Sequence, residues 1–142
     1  MRWPEALTHV ESLWAELPDR YKYNHQLRRL ERDFVNWDCS QSGFEGIRAQ
    51  DILPLLMERF NFELFIGFGN IIDVFVDRSF GHNFDPDRPF DRAFIDRAHG
   101  LDQNLLESGA VKPTHMIAVM TKAPAETVTY KHLTPEFCVR RP

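Results

Sequence analysis

The sequence predicts an α/β chain, a helical cap joined to a small sheet that contains an antiparallel pair. Two apolar runs and one helical stripe carry that expectation. NFELFIGF, from Asn61 to Phe68, is aromatic-rich, almost continuously apolar and followed by Gly69, the pattern of a buried strand. HMIAVMTK, from His115 to Lys122, has a β-branched, Met-rich centre and is its expected neighbour in the sheet. At the amino end, Ala6, Leu7, Val10, Leu13, Trp14 and Leu17 recur at helical spacing, with Pro4 suited to a first turn and Pro18 as the stop.

The remaining elements follow in chain order. HQLRRLERDF sets Leu27, Leu30 and Phe34 at helical spacing and predicts a second, short helix. WDCSQSGFEG is a loop by composition. Asp51 is the expected N-cap of ILPLLMERF, because Pro54 falls in the first turn, where its missing N–H breaks no helical bond. Asn70 is the expected cap of IIDVFVDRSF, with Ile71, Val74, Phe75 and the stem of Arg78 turned inward and Gly81 as the stop. Pro89 opens a further helix whose inner face is Phe90, Ala93, Phe94 and Ala98, broken at Gly100. These elements place one domain over residues 1–122. The prolines of APAETVTYKHLTPEFCVRRP predict an extended or loosely docked tail over 123–142, in which only TVTY has strand propensity.

Composition narrows the functional classes. A chain of 142 residues, 43% hydrophobic and 27% charged, is sized for one compact domain. A formal charge of -4 offers no basic field for phosphates, and the basic run from Arg20 to Arg32 is interrupted by Glu31, so no nucleic-acid partner is expected. No apolar run has the length of a membrane span or a signal peptide, so neither membrane association nor export is expected, and the cytoplasm is the expected location. Cys39 and Cys138 lack metal-ligand spacing and are read as free thiols.

The densest polar stretch, FGNIIDVFVDRSFGHNFDPDRPFDRAFIDR, contains several partial motifs. Gly67 and Gly69 stand between a strand and a helix, as in a dinucleotide loop, but Ile72 occupies the third glycine position, and a strand-to-helix turn is the preferred reading. Asn83, Asp85 and Asp87 alternate like a calcium loop, yet Arg88 and Phe94 replace its glycine and bidentate glutamate. The four Asp-Arg dipeptides suit a helix dipole and surface pairing. SFGHNFD is poor surface filler, and it fits a buried polar turn or, less well, a substrate-facing loop. As a buried turn it predicts that His82→Ala forfeits a hydrogen bond worth about 1–3 kcal/mol.

Taken in order, RWPEAL, LPDRYKYNHQLRR, GFEGIRAQDILPLL, FNFELFIGFGNIIDVFVDRSFGHNFD and PTHMIAVM resemble the C-terminal part of class I S-adenosylmethionine-dependent methyltransferases, over Trp3 to Lys122. DRSFGHNFD and PTHMIAVM are the most specific pieces. The resemblance implies the C-terminal half of a Rossmann-like fold: helices that cover a substrate, and the last two strands of the sheet as an antiparallel pair. It enters at the point where the cofactor half of such an enzyme has already passed. It therefore implies S-adenosylmethionine as the cofactor of the complete fold, and none held by the isolated chain.

Two functions are compatible with that resemblance. One is the substrate-cap and sheet-closing portion of a methyltransferase, inactive alone and an enzyme only with a cofactor-bearing partner or half. The other is a non-catalytic homodimeric or protein-interaction module derived from the same fold. In the first, Tyr21, Tyr23, Asn24, Arg48, His82 and Asn83 line the substrate pocket, with His25 as the general base and Arg48 holding an anionic substrate. No metal ligand set is implied. Both expect an associated chain, a homo-oligomer or a complex with a cofactor-binding partner, because two strands leave an open apolar edge.

Overall fold

The computed structural model describes residues 4–37, 46 and 48–140. Their structure is mixed α/β, with two small sheets, and they fall into two compact units interleaved along the chain. The first comprises Met1–Trp37 and Asn70–Leu105, the second Asp38–Gly69 and Leu106–Pro142. Residues 38–45, Cys39 and most of the expected WDCSQSGFEG loop among them, lie outside the described residues.

The first unit begins with helix α1 (Pro4–Glu16), whose expected stripe is the observed one: Ala6, Val10, Leu13 and Trp14 are buried, and Leu17 with them. A 3-10 turn (Asp19–Tyr21) leads to β1 (Tyr23–Asn24), which pairs antiparallel with β2 (Arg29–Leu30), Tyr23 opposite Leu30. This corrects the helix expected over HQLRRLERDF. The Asn24 carboxamide oxygen accepts the N–H groups of Gln26 (3.0 Å) and Leu27 (2.9 Å), closing a turn, and Arg28 adopts a left-handed φ of 53°. A side chain that satisfies its own downstream backbone competes directly with a helix. Leu27 and Leu30, the would-be inner face, are exposed.

Two further helices follow in this unit, the second of which continues past Leu105 into residues of the other. α3 spans only Asp73–Val76, α2 (Ile52–Met57) belonging to the second unit, and its cap is Ile72 rather than Asn70. It ends early because the Asp77 carboxylate takes the N–H groups of Ser79 (2.8 Å) and Phe80 (3.2 Å) while its own backbone turns extended. Ile71, Val74 and Phe75 are buried as expected, but Arg78 is exposed, and Gly81 opens a 3-10 turn (Gly81–Asn83) instead of ending a helix. α4 runs unbroken from Pro89 to Ser108. Gly100 does not break it, since a helical glycine costs only about 1 kcal/mol relative to alanine. The inner stripe of α4 is Asp91, Phe94, Ala98, Asp102 and Leu106, not Phe90 and Ala93, which are exposed.

The second unit holds a 3-10 turn (Ala49–Asp51), α2 (Ile52–Met57), β3 (Asn61–Phe68), β4 (His115–Thr121), β5 (Val128–Thr129) and α5 (Pro135–Cys138). Asp51 does not cap α2: its backbone is already helical and its carboxylate pairs with Arg48 at 2.6 Å. The strand order is β4-β3-β5, with β4 antiparallel to β3, as expected, and β5 parallel to it. A bulge between Phe62 and Leu64 resets the alternation, so that Phe62 and Phe65 both face the core. There they meet Leu133 and Cys138. Residues 123–140 thus supply the edge strand β5 and two core residues, Leu133 and Cys138. Cys138 is a buried free thiol, and burial pushes its pKa up to about 11.

Candidate functional site

The fold collects five of the predicted site residues on one turn of the first unit. The carboxamide of Asn83 donates through Nδ2 to the backbone carbonyls of Tyr21 (2.9 Å) and Tyr23 (2.8 Å), and its Oδ1 lies 2.8 Å from His25 Nε2. His25 is anchored from behind by its backbone N–H, which donates to Ser79 O at 2.8 Å. The His82 ring stands 5.2 Å from the His25 ring, and the Tyr23 ring meets His25 edge-on at 5.1 Å. His25, His82 and Tyr23 are exposed. Asn24 is buried and serves the turn described above. Arg48 belongs to the second unit, where its guanidinium is committed to Asp51.

A cavity of about 230 Å³ adjoins this turn, with Phe75, Phe84 and Ile95 as its apolar part and Arg78, Gly81 and His82 among its polar part. The SFGHNFD segment is therefore a structural turn and an accessible one at once. Its anchor is Asn83, half-buried and bonded to two backbone carbonyls, and the exposed His82 ring corrects the expectation that His82 supplies a buried hydrogen bond. Asn83→Ala is accordingly expected to lower unfolding free energy by about 1–3 kcal/mol. His82→Ala should change it by less than about 0.5 kcal/mol. Urea denaturation of both variants decides the matter: equal losses would return the anchoring role to His82.

Beneath the turn lies a buried charge that the sequence reading missed. Tyr21 is buried, and its hydroxyl donates to Asp91 Oδ1 while accepting from Arg20 Nη2 at 2.6 Å. Asp91 Oδ2 accepts the Asp85 N–H at 2.8 Å. Burial alone would raise the Asp91 pKa, but the Tyr21 and Asp85 hydrogen bonds and the charges of Arg88 and Arg20 outweigh it and hold the carboxyl below the usual range. The Tyr21 hydroxyl is shifted the other way, first by burial and then by its Asp91 partner. The ring of Tyr21 stacks on Phe84 at 5.0 Å, which ties the carboxylate to the cavity wall.

Asp102, also on the buried face of α4, differs in kind. Its Oδ1 accepts Ile71 N–H at 2.7 Å, while the buried Oδ2 has no hydrogen-bond partner among the described residues. Burial raises its pKa more than the Ile71 and Ile72 N–H groups lower it. A carboxyl whose folded pKa lies above its unfolded value, about 3.9, costs stability as pH rises from that value through the folded one. Asp102→Asn, which cannot ionise, is expected to gain about 1 kcal/mol over the wild type at pH 7 and nothing at pH 3. Thermal melts at the two pH values test this, and a gain that is the same at both would show that ionisation is not the cause.

The glycines of FIGFGN form no cofactor cradle. A Cβ on Gly67 would meet Pro113 Cγ at 3.0 Å and Cys138 Sγ at 3.1 Å, so the space is already filled by the core of the second unit. Gly69 adopts a φ of 66°, and its carbonyl accepts the Thr114 N–H at 2.7 Å. At Gly67 the strand-to-helix turn thus leaves no room for a cofactor group. No group of three or more metal-ligating side chains occurs among them, and no helix among them is long and apolar enough to cross a membrane. A second cavity, of about 220 Å³, lies in the second unit between Leu53, Phe65, His115 and Cys138. No family profile, curated protein or solved structure matches the chain.

Proposed function

We propose that this chain is the substrate-cap and sheet-closing portion of an S-adenosylmethionine-dependent methyltransferase, active only when a cofactor-bearing half completes its sheet. The observation that carries this reading is β4. It is an edge strand, yet Met116, Ile117, Val119 and Met120 are all exposed, Ile117 at 56% and Val119 at 48%. Neighbouring residues of a strand point to opposite faces: Ile117 and Val119 leave one face of β4 apolar and open, while on the other Met116 and Met120 flank Ala118, which packs against the core. That is the composition of a strand inside a sheet covered on both sides, and an edge of this kind is normally paired or covered. Its antiparallel pairing with β3 is the arrangement that the methyltransferase resemblance implies for the last two strands. In this reading the Tyr21–Asn83 turn faces the substrate, and His25 accepts the proton that a hydroxyl or amine nucleophile must lose.

The test has two arms. Calorimetry of the chain alone with S-adenosylmethionine is expected to show no saturable binding tighter than about 100 µM, or roughly −5.5 kcal/mol. Co-expression with the reading frame immediately upstream is expected to give a complex that binds the cofactor and that Ile117→Lys disrupts. Cofactor binding by the chain alone, or a stable monomer of 16.7 kDa at micromolar concentration that ignores the upstream product, would overturn the reading. A stable dimer with no cofactor-bearing partner would replace it with the non-catalytic module, which uses the same edge.

A further inference from the structure

We infer that Asn83 is a positioning residue that fixes the tautomer of His25, holding the ring as Nε2–H and leaving Nδ1 as the atom that accepts a proton. Hydrogen-bond chemistry settles the orientation of the amide. A carboxamide has one end that donates twice and one that only accepts. The end of Asn83 facing the Tyr21 and Tyr23 carbonyls, at 2.9 and 2.8 Å, must be the donating end, because a backbone carbonyl has no proton to give. Oδ1 is thereby committed to face His25 Nε2, at 2.8 Å. An acceptor facing a ring nitrogen requires a proton on that nitrogen, so in the neutral ring the lone pair is on Nδ1.

The rest of the turn keeps the ring in place. The His25 N–H is held by Ser79 O, the Ser79 hydroxyl donates to Gln26 Oε1 at 2.8 Å, and the Tyr23 and His82 rings flank the imidazole. When Nδ1 takes a proton, the new N–H bond forms there and the positive charge spreads over the ring. Asn83 Oδ1 then accepts from the same Nε2–H, so the ring keeps its orientation while Nδ1 holds the proton. The catalytic meaning of the inference rests on the substrate-facing reading of the turn, but the tautomer itself needs neither substrate nor cofactor.

Long-range proton–nitrogen correlation spectra of the full chain, labelled with nitrogen-15 and recorded at about pH 8.5, test it. The expected result is a single His25 species with a pyrrole-type Nε2 and a pyridine-type Nδ1, and an Nε2–H proton shielded from exchange. Asn83→Ala should lose that proton signal and average the two nitrogens. Should the alanine variant fail to fold, the wild-type spectrum still decides: a pyrrole-type Nδ1, or a ring already averaged between tautomers, overturns the inference. A correct tautomer in a chain that fails the co-expression test would leave Asn83 in its role and remove only the methyltransferase reading.

Discussion

Asp91→Ala is expected to cost about 3–5 kcal/mol, since it removes two hydrogen bonds to a buried carboxylate at roughly 1.5–3 kcal/mol each. The Tyr21 hydroxyl and the Asp85 N–H both lose their acceptor, and the hydroxyl cannot turn to water, because Tyr21 is 1% exposed. The loss spreads to the site. Asp91 lies in the first turn of α4 and reaches back to Asp85, so it closes the loop that carries Phe84 against the Tyr21 ring. Its charge also suits the N-terminal end of the helix.

The pH dependence of that variant follows from the direction of the Asp91 shift. A carboxyl with a depressed folded pKa contributes stability that is fully present above its unfolded value, about 3.9, and is lost as pH falls through the folded one. The wild type should therefore lose its advantage over Asp91→Ala as pH falls below about 3.9, while the advantage of Asp102→Asn over the wild type disappears earlier, as pH falls through the raised Asp102 value towards about 3.9. Two aspartates on one helix face are expected to move stability in opposite directions with pH. Urea titrations at pH 7 and pH 2.5 check both: an Asp91→Ala cost below 1 kcal/mol, or one that does not shrink in acid, would mean that Asp91 is held by shape and not by charge.

Both aspartates escaped the sequence reading for the same reason. Aspartate is seldom fully buried, so Asp91 reads as a surface residue and Asp102 attracts no reading at all, and the expected inner face of α4 runs through Phe90 and Ala93 instead. The spacing did contain the answer. Asp91, Phe94, Ala98, Asp102 and Leu106 step by three and four, the same interval that identified α1 from Ala6 to Leu17. The two long strands were legible because their apolar runs have no helical alternative of adequate length. The hairpin at Tyr23–Leu30 was not, because Leu27 and Leu30 imitate a helix face, whereas the decision rests on one carboxamide oxygen of Asn24 and the left-handed Arg28. Of the site, Tyr21, Tyr23, Asn24, His25, His82 and Asn83 were singled out by residue type, but the roles inside the cluster depend on which partner each polar atom finds across about 60 residues of chain. Periodicity contains no such information.

Trp14→Ala should be comparably damaging, at about 3–5 kcal/mol for a buried indole that leaves a cavity. Trp14 is the point where three segments of the first unit meet. Its ring contacts Phe80 edge-on at 4.9 Å and Phe34 at 5.6 Å, and lies 6.4 Å from Phe75. Its Nε1–H donates to Arg32 O at 3.0 Å, which fastens the chain leaving β2 to α1 without any helix between them. Trp14→Phe separates the contributions: it keeps most of the ring contact and loses the bond to Arg32 O, worth about 1 kcal/mol. Because Phe80 precedes the Gly81–Asn83 turn directly, loosening the indole pocket should also release Asn83 from the Tyr21 and Tyr23 carbonyls. The expected signature in Trp14→Ala is therefore a destabilised chain in which hydrogen exchange at Asn83 and His25 quickens before the chain unfolds as a whole. If exchange there stays at the wild-type rate while global stability falls by several kcal/mol, the turn is held by its own hydrogen bonds and the aromatic cluster serves α1 alone.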